Sequence, residues 1–471
     1  MLYPMRKLFF ILFLCFCSPA RAQNTFEKVI DTLGCVSALC IQETFDGGYI
    51  FGGTSSYNGN DAMVVKLDSS GTIEWAKTYF GAGAEGVMYL EQTPDSGYIL
   101  NVQDATNAKT CLYRLNNIGD TLWTKSYSAG VGATSAVYPN SMASVYNNVY
   151  GLTGYYSNGS WPSAFFIACL NNGSFLTNEV YNTAIFGNVS RAINKTFDGG
   201  FIMTGAISNT SSFSDIYLIS INTFGDTSWT RCYDKSQTDA GQAVIQTIDS
   251  GFAIAAYVFN GQYNDIYLIK TDSIGDTLWT KSYNFYSDQS PYSLQQTKDG
   301  GFIITGSAII PNGNGRDLYL IKTDVNGDTL WTRNYGGAPW SDFGYFVRPT
   351  TDGGYIISGI TGNFGTGTYI VKTDSMGLVN SITGIAEINN TLQFDLFPNP
   401  SSGVFTVKVK GLPKSGSFLQ VYNITSQLIY SCTLINGVAE LIDLSSYPSG
   451  IYMAVLFINQ NIASRKIIIQ N

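Results

Sequence analysis

The sequence predicts an all-β protein: a seven-bladed β-propeller followed by a small C-terminal β-sandwich. Three observations lead there. First, an Asp, a small residue, a Gly and an aromatic recur six times, at Asp46-Gly47-Gly48-Tyr49, Asp95-Ser96-Gly97-Tyr98, Asp198-Gly199-Gly200-Phe201, Asp249-Ser250-Gly251-Phe252, Asp299-Gly300-Gly301-Phe302 and Asp352-Gly353-Gly354-Tyr355. Second, adjacent copies lie 49, 51, 50 and 53 residues apart, and one gap of 103 has room for a degenerate copy around Asn147-Asn148-Val149-Tyr150. Seven units of about 50 residues, each made of short β-type runs, are the pattern of a propeller. Third, the repeats stop near Asn380, and a different set of short alternating strands follows.

One unit shows how a blade is built. In Ser293 to Gly336 a first strand, Ser293 to Gln296, enters the Lys298-Asp299-Gly300-Gly301 turn. There Asp bonds the backbone ahead of it and the two glycines supply positive φ. The second strand, Phe302 to Gly306, is an apolar run suited to burial on both faces. A third strand, Asp317 to Asp324, and a turn, Asp324 to Asp328, lead to the fourth, Leu330-Trp331-Thr332-Arg333-Asn334-Tyr335. Trp75, Trp123, Trp229, Trp279 and Trp331 hold this place in five units, and Phe175 is expected to stand there in the third. Each such side chain wedges between blades, burying roughly 150–250 Å², as packing rather than as a ligand platform. The Gly-Asp turns are not calcium loops: Asp324-x-Asn326-Gly327-Asp328 is one residue too short, and no Glu follows. The seventh unit lacks its Trp-bearing strand after Asp374 and Gly377. Thr25-Phe26-Glu27-Lys28-Val29-Ile30 resembles that strand and is predicted to complete the last blade and close the ring.

The N-terminus and the composition set further bounds. Arg6 and Lys7 precede an apolar run, Leu8 to Cys17, and then Pro19 and Ala20-Arg21-Ala22. Residues 1–22 thus read as a secretory signal peptide cleaved after Ala22. Ten apolar residues fall short of the roughly 20 that cross a bilayer, and no other membrane span is predicted. Neither Cys15 nor Cys17 has the small preceding residue of a lipoprotein signal. The formal net charge is −8, and it becomes −11 without the three basic residues Arg6, Lys7 and Arg21. An acidic chain without a basic cluster argues against nucleic acid and anionic membrane surfaces. Histidine is absent, which removes Ser-His-Asp and Cys-His catalysis and imidazole metal sites. Six cysteines follow the leader: Cys35, Cys40, Cys111, Cys169, Cys232 and Cys432. They form no repeating ladder and read as buried small hydrophobes, with a Cys35–Cys40 bridge left open. No metal and no cofactor is predicted.

The expected organisation is a propeller over 23–380, a linker over 381–391 and a sandwich over 392–471. The last segment resembles the type A C-terminal sorting domain of the type IX secretion system. The resemblance rests on Phe397-Pro398-Asn399-Pro400 with Gly403, on Val421-Tyr422-Asn423, on Pro448-Ser449-Gly450-Ile451-Tyr452 and on the final Lys466-Ile467-Ile468-Ile469. Ser426-Gln427 departs from it, since the family commonly has a Gly after the Val-Tyr-Asp/Asn strand. The resemblance implies the type IX machinery as partner, export to the outer cell surface or the medium, and removal of the domain. It also implies attachment of the cargo to surface lipopolysaccharide, or its release.

Function in a propeller sits on its loops. The Asp-Gly-Gly and Gly-Asp turns share one face, and the variable loops fall on the other. Trp161 and Trp340, the two Trp outside the repeat phase, fall on that variable face with Tyr57, Tyr263 and Tyr286. Exposed aromatics there would stack on a glycan or anchor a protein partner. Packing against their own blade is the competing reading. The chain therefore reads as a binding or adhesion module. One alternative is an extracellular enzyme. The Asp-x-x-Gly-x-x-x-Trp hairpin resembles the blade motif of quinoprotein-like propellers, but no converging quinone and calcium ligands are found. Scattered Asp and Glu leave glycan cleavage open. The other alternative is a structural surface-layer protein. No catalytic residue is singled out.

Overall fold

The computed structural model describes residues 23–379 and 393–470, apart from 57–59, 81–84, 108, 129–135, 146–148, 158–160, 182–185, 209–212, 311–314, 337–340, 363–366, 411–416, 424–427, 435–439 and 459–460. Residues 1–22, the 381–391 linker, Tyr57, Trp340 and Ser426-Gln427 thus lie outside the described residues. The chain divides into two compact units, Met1–Thr383 and Gly384–Asn471.

The first unit holds seven four-stranded antiparallel sheets, the blades of a propeller. Blade 1 is Cys35–Glu43, Tyr49–Ser55, Asp61–Leu67 and Ile73–Tyr79, from the channel outward. Blades 2 to 6 repeat it, starting on inner strands Glu85–Gln92, Ala136–Val145, Asn188–Lys195, Asp239–Gln246 and Ser287–Gln296. Their outer strands are Thr121–Tyr127, Phe175–Tyr181, Thr227–Tyr233, Thr277–Tyr283 and Thr329–Tyr335. The second and third strands are buried on both faces, and the outer ones are largely exposed, as in blade 6. Seven apolar clusters fill the seven junctions; Phe302, Ile304 and Tyr319 of blade 6, for example, pack with Ala253, Ala255 and Leu268 of blade 5.

The repeated Asp is a turn device with a cation behind it. Asp299 accepts from Thr297 Oγ1 at 2.5 Å and from Gly301 N at 3.1 Å. It also takes a 2.8 Å ion pair from Lys322, which is 4% exposed and bonds the Thr323 carbonyl as well. The same arrangement holds for Lys66–Asp46, Arg114–Asp95, Lys270–Asp249 and Lys372–Asp352. Burial pushes the Asp299 carboxyl upward, but the bonds from Lys322, Thr297 and Gly301 carry it below the usual carboxylate range. The two turn glycines differ in role, against the expectation that both supply positive φ. Only the first does, at +83° for Gly300, and Ser96 and Ser250 adopt the same region. The second is glycine because of close approach: a Cβ on Gly301 would stand 2.1 Å from the Thr323 carbonyl oxygen.

The junction between blades is equally repetitive. Trp75, Trp229, Trp279 and Trp331 each meet the first aromatic of the next blade's second strand edge-on, as Trp279 does Phe302 at 6.1 Å. The repeated aromatic is therefore the indole's partner. Beneath each indole runs the next blade's outer turn, where a Cβ on Gly327 would stand 2.7 Å from the Trp279 ring. The last Tyr of each outer strand then donates to the carbonyl of that same turn glycine, as Tyr283 does to Gly327 at 2.7 Å. Tyr79, Tyr127, Tyr181, Tyr233 and Tyr335 repeat the bond. In blade 3 the expectation for Phe175 is corrected. Phe175 pairs with Cys169, two residues ahead of the Trp register, and is 57% exposed. Thr177 occupies the register, and Phe166 fills the gap against Phe201 at 5.4 Å.

The seventh blade is Asp342–Pro349, Tyr355–Thr361, Gly367–Thr373 and, outermost, Phe26–Ile30 from the far end of the chain. Phe26 pairs with Lys372 and Ile30 with Thr368, antiparallel. Phe26 takes the indole's place, edge-on to Tyr49 of blade 1 at 5.8 Å and under Gly71. Ile30 holds the tyrosine's register, and Lys28 supplies the missing bond, donating to the Gly71 carbonyl at 2.8 Å. Gln23 adds bonds to the Asp352 carbonyl and from Ser375 N.

One junction carries an unusual group. Asp61, Glu85 and Asp104 are all buried where blades 1 and 2 meet, and Asp61 Oδ2 and Glu85 Oε2 have no hydrogen-bond partner. Burial first, then the neighbouring Asp104 and Asp61, push the Glu85 carboxyl up to about 7.

The second unit is a sandwich of two sheets. One orders Gln393–Phe397, Val404–Lys410 and Glu440–Asp443. The other orders Leu428–Leu434, Ser417–Asn423, Gly450–Ile458 and Asn461–Ile469. Phe394, Phe405, Leu419, Val421, Leu456 and Ile467 form its core.

Two expectations follow from closure and from the carboxyl cluster. Deleting residues 23–31 bares the edge of Gly367–Thr373 and empties the Phe26 pocket, so Tm should fall by about 5 °C or more; an unchanged Tm would mean the ring holds without this strand. Because the Glu85 carboxyl is raised on folding, its neutral form contributes stability at low pH that is lost as pH rises through about 7. Glu85→Gln should therefore stabilise the protein at pH 8, by up to about 3 kcal/mol in urea unfolding, and not near pH 4.5. A pH-independent effect would contradict this account.

Candidate functional site

The inner strands surround a central channel, and one irregularity recurs in all seven. The register slips by one residue at Ala38/Cys40, Val87/Tyr89, Pro139/Ser141, Ser190/Ala192, Gly241/Ala243, Pro291/Ser293 and Gly344/Phe346. Each slip is a β-bulge, which re-aims the extra residue. In blades 1, 4, 6 and 7 the second strand places a glycine opposite it, whereas blade 2 places Val102 there. A Cβ on Gly53, Gly205, Gly306 or Gly359 would stand 1.7–1.9 Å from an inner-strand carbonyl oxygen. Six of the seven extra residues, Leu39, Met88, Arg191, Gln242, Tyr292 and Tyr345, line one cavity of about 720 Å³ at the centre of the ring. That volume lies in the range of small-molecule sites, about 300–1,000 Å³.

The wall of this cavity is chemically mixed. On one side Tyr345 stacks on Phe343 at 6.1 Å and meets Tyr292 edge-on at 5.4 Å. Burial and the neighbouring Tyr292 push the Tyr345 phenol up to about 12. Arg348 of blade 7 reaches across the blade 1 strand to donate to the Tyr89 hydroxyl of blade 2 at 2.9 Å. Its guanidinium also lies 4.8 Å from the Phe346 ring centre. Burial pushes the Tyr89 phenol upward, and Arg348 opposes that shift. The two carboxylates are engaged. Glu91 accepts from Ser144 Oγ at 2.7 Å, and Glu43 accepts from Thr351 N and Oγ1, both at 2.7 Å. Arg191, on the blade 4 wall, has a buried Nε with no partner. The arrangement can hold a polar ring or chain between flat aromatic faces, amides and a guanidinium. Among the described residues no cluster of three or more His, Cys, Asp or Glu is set to bind a metal ion.

The aromatics expected to form a loop site are placed as follows. Trp161, before the third strand of blade 3, is 50% exposed and edge-on to Phe186 at 5.3 Å. Tyr263, before the third strand of blade 5, is 40% exposed. Tyr286, between blades 5 and 6, is half-buried and edge-on to Tyr319 at 5.3 Å. Blade 4 lies between the first two, so these residues are not brought together. The six cysteines form no disulfide among the described residues, and Cys35 and Cys40 both lie in Cys35–Glu43, one contacting Met63 and the other donating to the Gly52 carbonyl. The channel residues were missed because bulge positions differ in every copy. The signal, present in four of the six repeats, was the Gly four residues after the repeated aromatic, as in Tyr49-x-x-x-Gly53 and Phe302-x-x-x-Gly306; Val102 and Ala256 stand there in the other two.

The C-terminal motif residues lock one end of the sandwich. Asn399 donates through Nδ2 to the Lys466 carbonyl at 2.6 Å and accepts from Ile468 N at 2.8 Å. Phe397-Pro398 and Asn399-Pro400 are cis. Ser401 continues the pairing with Ile468 and Gln470. Gly403, at φ +96°, lies against Ser445, where a Cβ would stand 2.5 Å from Cα. Tyr452 donates to the Pro448 carbonyl at 2.7 Å, and Gly450 opens its strand.

Comparison with curated proteins finds no match. Among solved structures, the WD40 domain of Neurospora crassa Pan2 is similar at 8% identity, over 76% of this chain and 98% of that one, with a TM-score of 0.47. An ulvan lyase of polysaccharide lyase family PL25 is similar at 8% identity, over 75% and 98%, with a TM-score of 0.48. A puromycin hydrolase is similar at 11% identity, over 79% of this chain and 58% of that one, with a TM-score of 0.47. What those proteins act on is their own property. The family model described as the secretion system C-terminal sorting domain matches residues 395–470. The chain therefore carries a type IX secretion sorting domain at its C-terminus, behind a seven-bladed β-propeller.

Proposed function

We propose that this protein is a binding module delivered to the outer cell surface or the medium, with its ligand held in the central channel of the propeller. The sorting domain supplies the delivery, with residues 1–22 as the leader removed after Ala22 and surface lipopolysaccharide as the attachment point. The observation that carries the binding site is internal to the repeat. Asp, Lys, Gly, Trp and Tyr recur wherever they hold the blades, yet the bulged positions read Leu39, Met88, Arg191, Gln242, Tyr292 and Tyr345. A rigid scaffold that varies chiefly where it lines a cavity is built to recognise something there. The exposed rings of Trp161 and Tyr263 belong to a secondary contact with a glycan or protein on the other face. Residues 23–471 should be screened against glycans and surface proteins, beside Gln242→Trp, which fills the channel, and Trp161→Ala/Tyr263→Ala. Loss of binding in the channel variant alone is expected. Loss in the loop variant alone would move the site to the opposite face.

A further inference from the structure

We infer that the channel takes a saccharide bearing an anionic group, a carboxylate or a sulfate ester, with Arg191 as the contact for its charge. This rests on the channel being the ligand site. The charged groups around the channel divide into engaged and unengaged ones. Glu91 and Glu43 are already hydrogen-bonded by Ser144 and Thr351. Arg348 is held by the Tyr89 hydroxyl and the Phe346 face. Arg191 has neither kind of partner. Its Nε is shut off from water without a hydrogen bond, and it makes no ion pair among the described residues.

A half-buried guanidinium that lines a cavity without a protein partner calls for an oxyanion, since its planar fork donates to carboxylate or sulfate oxygens two at a time. The bulge at Ser190/Ala192 fixes where that fork enters the cavity, because it turns this one residue out of the alternation of its strand. The other bulged residues describe the rest of the ligand. Tyr292 and Tyr345, held edge to face and backed by Phe343, offer flat apolar surfaces that match the C–H face of a sugar ring. Gln242 and Gln295 line the cavity with amides that make no hydrogen bond to protein among the described residues. Each can donate and accept, which suits hydroxyl groups. Lys195 lines the same cavity and is exposed. It adds positive charge without a second fixed anion site. A free inorganic anion would use Arg191 and leave the tyrosines and amides idle; a neutral sugar would do the reverse.

The test is calorimetry on residues 23–471 with three probes: an oligogalacturonate, a sulfated galactan oligosaccharide and a neutral galactan oligosaccharide of equal length. One of the two anionic probes should bind at least about tenfold more tightly than the neutral one, the worth of one charge-assisted hydrogen bond. Arg191→Gln should remove that margin, Arg191→Lys should restore part of it, and unchanged thermal unfolding will show that the variants are folded. Equal binding of the neutral probe, or an anionic preference that survives Arg191→Gln, overturns the inference while leaving the channel as the site. Binding that survives both Arg191→Gln and Gln242→Trp overturns the channel reading as well.

Discussion

The contact on which the molecule depends is the step from one blade to the next. An aromatic ring at the end of one sheet lies on the backbone of a glycine turn in the following sheet, and the tyrosine two turns of pleat further on bonds that glycine's carbonyl. The ring cannot come this close to any residue with a Cβ, and the carbonyl is available because the turn points it back at the preceding blade. The interaction is short-range, directional and repeated from step to step, so it sets both spacing and tilt. Where the sequence drifts, the physics is kept by other atoms: Phe166 and Glu179 cover the Gly225 turn after blade 3, and Phe26 with Lys28 cover Gly71. The bulged residues of the inner strands take no part in this contact. That is what leaves the channel residues free to differ.

How much of this is legible in the sequence depends on whether the cause is local. The Asp-Gly-Gly turn is readable because the Asp bonds groups two residues away. Its buried lysine is repeated just as plainly in Lys322-Thr323-Asp324, but its partner Asp299 lies 23 residues back, and only pairing brings them together. The second turn glycine is misread for the same reason, since the carbonyl that excludes a side chain belongs to the third strand. Phe175 is misplaced by matching residue type rather than spacing; counting four residues on from Gly173 gives Thr177. The closing strand is legible because Phe26 and Lys28 keep the shape and charge of the strand they replace. The channel residues stay hidden because a bulge is a property of two strands in register. Their trace, in blades 1, 4, 6 and 7, is a glycine in the neighbouring strand.

In the C-terminal unit the residues that carry the family resemblance are structural. Asn399 pairs with Lys466 and Ile468 as though it were a strand, and Ser401 extends the pairing to Gln470. The Phe-Pro-Asn-Pro segment therefore fastens the first strand of the sandwich to the last.

Completing the propeller with Phe26–Ile30 has a consequence in time. Glu27 and its partner Tyr369 are separated by 342 positions, so the first propeller strand to be synthesised must wait for the last. Six sheets can form in order as the polypeptide emerges, while the seventh stays open with its third strand unpartnered. Circularisation is then a single late event, and any factor that holds the leading end in place controls when it happens.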